Sequence, residues 1–175
     1  IVRCTRSNGK MAVLNGENEA DDPDRLKSKV KTGGPWAVTG AVLDKAQKSI
    51  DDLSDQFAEQ LAVDIADMVA VHGQLVGDDC DPSECLKQMF HIAHNLKGNG
   101  GTFGFDLVTD INYLLCRFIE RLDLPLPPQS TEVIYLHINA LKAVQAQNLT
   151  GGGGEVGKSL LNGLEQVIEK WGQSK

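Results

Sequence analysis

The chain has 175 residues, 41% of them apolar, enough for one domain with a real core and additional terminal segments. Its net charge of −7, with the lysines scattered, argues against nucleic acid or an anionic membrane as a partner. No apolar run reaches the length of a membrane span, no secretion signal is recognisable, and four cysteines are too few for a disulfide scaffold, so a cytoplasmic protein with reduced cysteines is the expectation.

Residues 1–38 carry NGENEADDPD, a Lys-rich run and TGGP, with little periodicity, and read as a flexible leader. From Leu43 the pattern changes. Leu43, Ala46, Ile50, Leu53, Phe57, Leu61, Ile65, Met68, His72 and Leu75 follow steps of three and four, which predicts a long amphipathic helix with one buried stripe, ended by Gly77 and GDDCDP. His72 lies on that stripe and is expected to be buried or half-buried.

Asp81-Pro82-Ser83-Glu84 is a helix start: Asp caps, Pro fits the first position and Glu sits in the first turn. The second helix is expected to run to about Gly98–Gly101. A third follows GTFGFD, with Leu107, Ile111, Leu114, Leu115, Phe118 and Leu122 on one side, and LPLPPQ stops it. Within it Cys116 reads as a small core residue. A fourth covers about Ser130–Asn148. After GGGG, the series Val156, Leu160, Leu164, Val167, Ile168 and Trp171 suggests a last helix.

No segment alternates as a strand. The expected architecture is all-α: an antiparallel four-helix bundle over 39–149, then a Gly linker and an extra C-terminal helix over 150–175.

The second helix holds the stretch FHIAHNLKGNGGTFGF, residues 90–105. On a helical wheel, Met89, Ile92, Ala93, Leu96 and Gly100 gather on one side, with Leu86 at its edge, and that side must face the core. His94 lies opposite, among Lys87, Phe90, His91, Lys97, Gly98 and Gly101. Lys97 is a surface neighbour one turn on. Gly98 and Gly101 leave bare backbone beyond the imidazole, although a glycine inside a helix costs about 0.5–1 kcal/mol relative to alanine. Phe90 is then an exposed aromatic, as a recognition surface would have. Phe103 reads as a core plug and Phe105 as core or rim.

Neutral imidazole is a good nucleophile near neutral pH, because its unperturbed pKa is about 6.5. It can accept a phosphoryl group, and the N–P bond is labile enough to pass the group on. A lysine ammonium beside it stabilises phosphoryl oxygens through charge-assisted hydrogen bonds.

At His94-Asn95-Leu96-Lys97-Gly98, followed by Gly104, the chain resembles the histidine-containing phosphotransfer (HPt) domain family. The longer string AHNLKGNGGTFGF is most similar to the phosphotransfer domains of chemotaxis histidine kinases. The resemblance spans roughly residues 40–148 as a helical order and is specific over 90–105. It implies a four-helix bundle with the phosphoacceptor histidine exposed on the second helix. By match to the motif, His94 is the phosphoacceptor, Lys97 the phosphate-side lysine and Gly98 the residue that gives access. It implies response-regulator receiver domains and a (hybrid) histidine kinase as partners, with Mg²⁺ held by the receiver and no cofactor of the chain's own. Phe90, His91 and Gly101 are then candidate docking residues. A second histidine beside the first, the leader and the C-terminal helix depart from the pattern. No kinase domain follows the motif, so the expectation is a phosphoryl carrier rather than an enzyme.

Three other readings compete. An HPt-like bundle can serve as an adaptor that binds a signalling partner without carrying phosphate. His91 and His94 with Cys80 and Cys85 offer two nitrogens and two sulfurs to a metal, but at poor spacing for zinc. Gly152 to Ser159 fits the phosphate-loop pattern letter for letter, yet what precedes it has a helical period, whereas that loop follows a strand.

Overall fold

The computed structural model describes residues 40–127 and 129–173, the last two by backbone alone; the expected leader, 1–38, lies outside the described residues. The chain divides into two compact units, 1–45 and 46–175, and of the first only Gly40–Lys45, the start of a helix, is described. The described residues are all-helical, with no strand: α1 Gly40–Val76, α2 Pro82–Asn99, a 3-10 turn Gly100–Phe103, α3 Asp106–Ile119, α4 Ser130–Ala146 and α5 Gly154–Gln173.

The local signals act where the sequence puts them. Asp81 caps α2, its carboxylate accepting the N–H groups of Ser83 at 3.0 Å and Glu84 at 3.2 Å, while Pro82 occupies the first turn. A cap of this kind stabilises a helix by about 1 kcal/mol. α1 ends at Val76, where the Gly77 N–H donates back to Gly73 O at 2.9 Å.

α2 packs on α3, α3 on α4, and α5 on both α3 and α4. Met68, Met89, Ala93, Leu107, Val108, Ile111, Leu115, Phe118, Ile134, Ile138 and Leu141 are wholly removed from solvent. Each of the larger ones contributes roughly 1.5–3 kcal/mol by burial. α5 is part of this core: Leu164 and Trp171 are buried, and Trp171 meets Phe118 edge-on at 4.9 Å.

α1 reaches the other helices through its C-terminal two thirds. Phe57 stands against both Phe103 and Phe105, with ring centroids 5.1 Å away in each case. His72 is half-buried, as its place on the stripe suggested; its Nε2–H donates to Thr131 O at 3.0 Å and its ring stacks on Tyr135 at 5.0 Å. The burial of the stripe differs from expectation. It begins at Phe57, while Ile50 and Leu53 are 59% and 47% exposed. Helical period fixes which side is apolar, not whether another element reaches it.

Cys80 and Cys85 are joined in a disulfide, with Cα atoms 6.3 Å apart, contrary to the expectation of reduced cysteines. The turn built by the Asp81 cap brings the two together: Cys85 N–H donates to Asp81 O at 3.0 Å. Cys116 is a buried free thiol, as expected.

His137, for which the sequence offered no role, is fully buried in α4, its ring stacked 6.4 Å from Phe118. Its ring nitrogen Nδ1 lies 2.8 Å from Val133 O, and a carbonyl only accepts, so Nδ1 carries the proton and Nε2 is an acceptor. No partner for Nε2 occurs among the described residues. Burial pushes its pKa below the usual 6.5, opposed by the bond to Val133. Below pH 6.5 the unfolded chain therefore binds a proton that the native state refuses. Its contribution to stability is complete above pH 6.5 and is lost as the pH falls from there through the folded pKa. Urea unfolding at pH 7.5 and 5.5 is expected to show lower stability at the acid pH, and His137→Phe is expected to reduce that difference. An unchanged pH slope in His137→Phe would assign it to other groups.

Candidate functional site

Residues 85–101 present two sides, as the wheel predicted. Cys85, Leu86, Met89, Ala93, Leu96 and Gly100 are buried. His91, His94, Gly98 and Gly101 are exposed, and Lys97 is half-buried. His94 thus stands on solvent in the second half of an 18-residue helix whose other side is locked into the core. No hydrogen bond or ion pair to it occurs among the described residues. A rigid base with a free imidazole suits group transfer, because the ring need not break an interaction before it reacts.

Phe90 corrects one expectation. It is half-buried rather than exposed, because the segment after α3 comes alongside it: Leu86, Phe90, His91, Ile119, Leu122 and Leu124 line a shallow groove. Its ring lies 5.7 Å from that of His94 and 6.5 Å from that of His91. The aromatic therefore floors the surface beside the imidazole. A second groove on the other flank of His91 includes Asp67, Gln74 and Gln88 from α1 and α2. His91 stands between the two.

Lys97 has its charge close enough to α3 to act on Cys116. Burial raises the Cys116 thiol above its usual pKa, Lys97 pulls it down and Glu120 pushes it up again. Lys97 itself is half-buried, one turn beyond His94.

The glycines separate by cause. A Cβ on Gly100 would come within 2.7 Å of Thr109 Oγ1 and 2.9 Å of Phe105 O, so its absence lets α3 close on the end of α2. Gly104 has φ +79°, a left-handed conformation that suits glycine. Gly101 is exposed, yet its N–H is held by Thr109 Oγ1 at 2.9 Å. Gly98 is different: a Cβ there would meet nothing within 4 Å. Among the described residues no packing asks for that glycine, as is also the case for Gly73 in α1 and Gly163 in α5.

The glycine run after α4 braces this same corner. Gly151 N–H donates to Gly104 O at 2.6 Å, and Leu107 N–H donates to Gly151 O at 2.8 Å. Gly157 packs on the Gly152 carbonyl so closely that a Cβ would land on it. The element before the run is helix α4, not a strand, and Lys158 pairs with Glu155 at 2.8 Å on the surface. The phosphate-loop match is thus a packing loop. The metal reading also loses its donors: Cys80 and Cys85 are bonded to each other, and no cluster of three or more His, Cys, Asp or Glu able to hold a metal occurs among the described residues.

The structure brings His94, Lys97, Gly98, Phe90 and His91 onto one surface, and sets Gly101 at its edge. The disulfide, the orphaned Nε2 of His137 and the bracing role of Gly151 had no legible signal in the sequence. No helix among the described residues is long and apolar enough to cross a membrane. No protein-family model, curated protein or solved structure matches the chain.

Proposed function

We propose that the protein is a histidine phosphotransfer carrier built on a four-helix bundle of α1–α4, with His94 as the phosphoacceptor. The observation that supports this reading best is the pairing of an exposed, unengaged His94 with a Gly98 for which packing gives no reason. Gly73 and Gly163 meet nothing in their helices either, so it is the place of Gly98, one turn beyond His94, that a closely approaching partner accounts for.

In the proposed step a ring nitrogen of His94 attacks the phosphorus of a receiver's aspartyl phosphate. The N–P bond forms, the P–O bond to the aspartate breaks, and the carboxylate leaves with the electron pair. The other ring nitrogen gives up its proton to water. The reverse sequence passes the group to a second receiver. Lys97 neutralises phosphoryl oxygens, the receiver supplies Mg²⁺, and catalysis is mostly positioning. Docking uses Phe90, His91, Gly98 and Gly101. A (hybrid) histidine kinase starts the relay.

The relay is assigned to the cytoplasm. There the Cys80–Cys85 pair would be held reduced. Cys85 is nine residues from His94, about 13 Å along the helix, so the state of that pair leaves the motif in place.

Gly98→Leu tests the access argument. It is expected to stabilise the fold by about 0.5–1 kcal/mol, since leucine is the better helix former. It is expected to slow transfer from a phosphorylated receiver by about tenfold or more, the effect of about 1.4 kcal/mol lost from the docked state. A transfer rate equal to wild type would remove the explanation for the glycine. Labelling of His94 itself tests the function as a whole, as set out below.

A further inference from the structure

In the N-terminal part of α1, between the half-buried Leu43 and the buried Phe57, runs an apolar stripe that stands exposed among the described residues. Ala46, Ile50 and Leu53 are exposed, and the next residue of the series, Phe57, enters the core. The steps are four, three and four, so in heptad terms Ala46 and Leu53 are d positions and Ile50 and Phe57 are a positions. An a/d stripe is the seam of a coiled coil.

We propose that this stripe pairs with the same stripe of a second copy of the chain, forming a short two-stranded parallel coiled coil. Charge points to self-pairing. The flanking e and g positions are Gln47, Ser49, Ser54 and Gln56, none of them charged. The charges fall on the outward b, c and f positions: Lys48, Asp51, Asp52 and Asp55. Charged e and g residues are what choose a different partner. An acidic chain of net charge −7 meets its own copy best along a strip without charge. β-Branched Ile at a with Leu at d is the combination that favours two parallel strands.

A free peptide of this length would not hold a helix, because nucleation is costly. Here α1 is already fixed from Phe57 onward by the core, so pairing need not supply that cost. The exposed seam, from Ala46 to Leu53, is short, about 10 Å along the axis. It buries less than the roughly 1,600 Å² of a standard interface. The dimer is therefore weak, reversible and concentration-dependent.

Sedimentation velocity of the full chain over a concentration series tests this, on wild type, Ile50→Asp, Leu53→Asp and Val63→Asp. Val63 is 53% exposed on α1 but off the stripe. The side chains of all three substituted residues are exposed, and circular dichroism checks that the helices persist. Wild type and Val63→Asp are expected to shift from monomer to dimer together. Ile50→Asp and Leu53→Asp are expected to weaken dimerisation by about 100-fold or more, which is some 2.7 kcal/mol. A wild type that stays monomeric throughout, stripe variants that dimerise like wild type, or a Val63→Asp that loses the dimer equally would each overturn the proposal.

Discussion

His94→Gln is expected to abolish phosphoryl uptake while leaving the fold intact. The imidazole is exposed and makes no hydrogen bond or ion pair among the described residues, so its replacement removes only its surface contact with the Phe90 ring. What it removes is the nucleophile. A glutamine amide nitrogen has no available lone pair, and a phosphoryl group has nowhere else on this helix to go unless His91 can substitute. His91 lies three residues earlier, its ring edge-on to that of Phe90 at 6.5 Å, and has no lysine at its own i+3 position, where His94 itself stands. His91→Gln is therefore expected to keep most of the label. Incorporation from a small donor such as phosphoramidate should fall by about 100-fold or more in His94→Gln, which is at least 2.7 kcal/mol of transition-state stabilisation. Full labelling in that variant would move the chemistry off His94.

Gly100→Ala is expected to cost stability where Gly98→Ala gains it, although the two positions are two residues apart. A methyl at 100 would press on Thr109 Oγ1 at 2.7 Å, Phe105 O at 2.9 Å and Thr109 N at 3.1 Å. The last two are backbone, so no rotamer change relieves them. α3 must move away from α2, straining the Phe105 N–H bond to Gly100 O (2.8 Å) and the Gly101 N–H bond to Thr109 Oγ1 (2.9 Å). Overpacking of this kind costs about 1–3 kcal/mol. Gly98→Ala meets nothing and should gain about 0.5–1 kcal/mol. Thermal unfolding of the two variants beside wild type gives shifts of opposite sign if the glycines have the separate causes assigned to them. A loss at Gly98→Ala as large as at Gly100→Ala would mean that Gly98 is structural.

Much of the architecture could be read in advance because its signals are local. The Asp81-Pro82-Ser83-Glu84 start, the stop at Gly77 and the Pro-rich break after α3 each act through the backbone within a few residues. The first two place helix ends to within a residue or two, whereas α3 ends at Ile119, before Leu122, which was expected within it, and well before the prolines. The side assignment of α2 followed from period alone, and put His94 outside and Met89, Ala93 and Leu96 inside. What could not be read depends on which element comes alongside. Phe90 falls on the outward side of its wheel, yet the stretch through Leu122 and Leu124 half-covers it. Ile50 and Leu53 fall on the inward stripe, yet stand in solvent. Phe103 stacks on Phe57 and Phe105 meets it at a tilt, and it is Phe105 that is buried while Phe103 is half-buried.

The glycines were the least legible. Gly98, Gly100 and Gly104 look alike as letters. One is accounted for by access, one by a close backbone approach and one by a left-handed φ, and only the three-dimensional neighbours distinguish them. The run at 151–154 imitated a nucleotide loop because both tasks, cradling phosphate and letting backbone meet backbone, need residues without side chains.

The central claim is that His94 carries a phosphoryl group. The most direct measurement is to treat the full chain with phosphoramidate, test the product for acid and alkali stability, and map the site by mass spectrometry. One phosphoryl group on the imidazole of His94, lost in acid and stable in alkali, is the result expected. Folded protein that takes no label there, either from phosphoramidate or from phosphorylated receiver domains, would contradict it and leave an adaptor that binds its partner without phosphate.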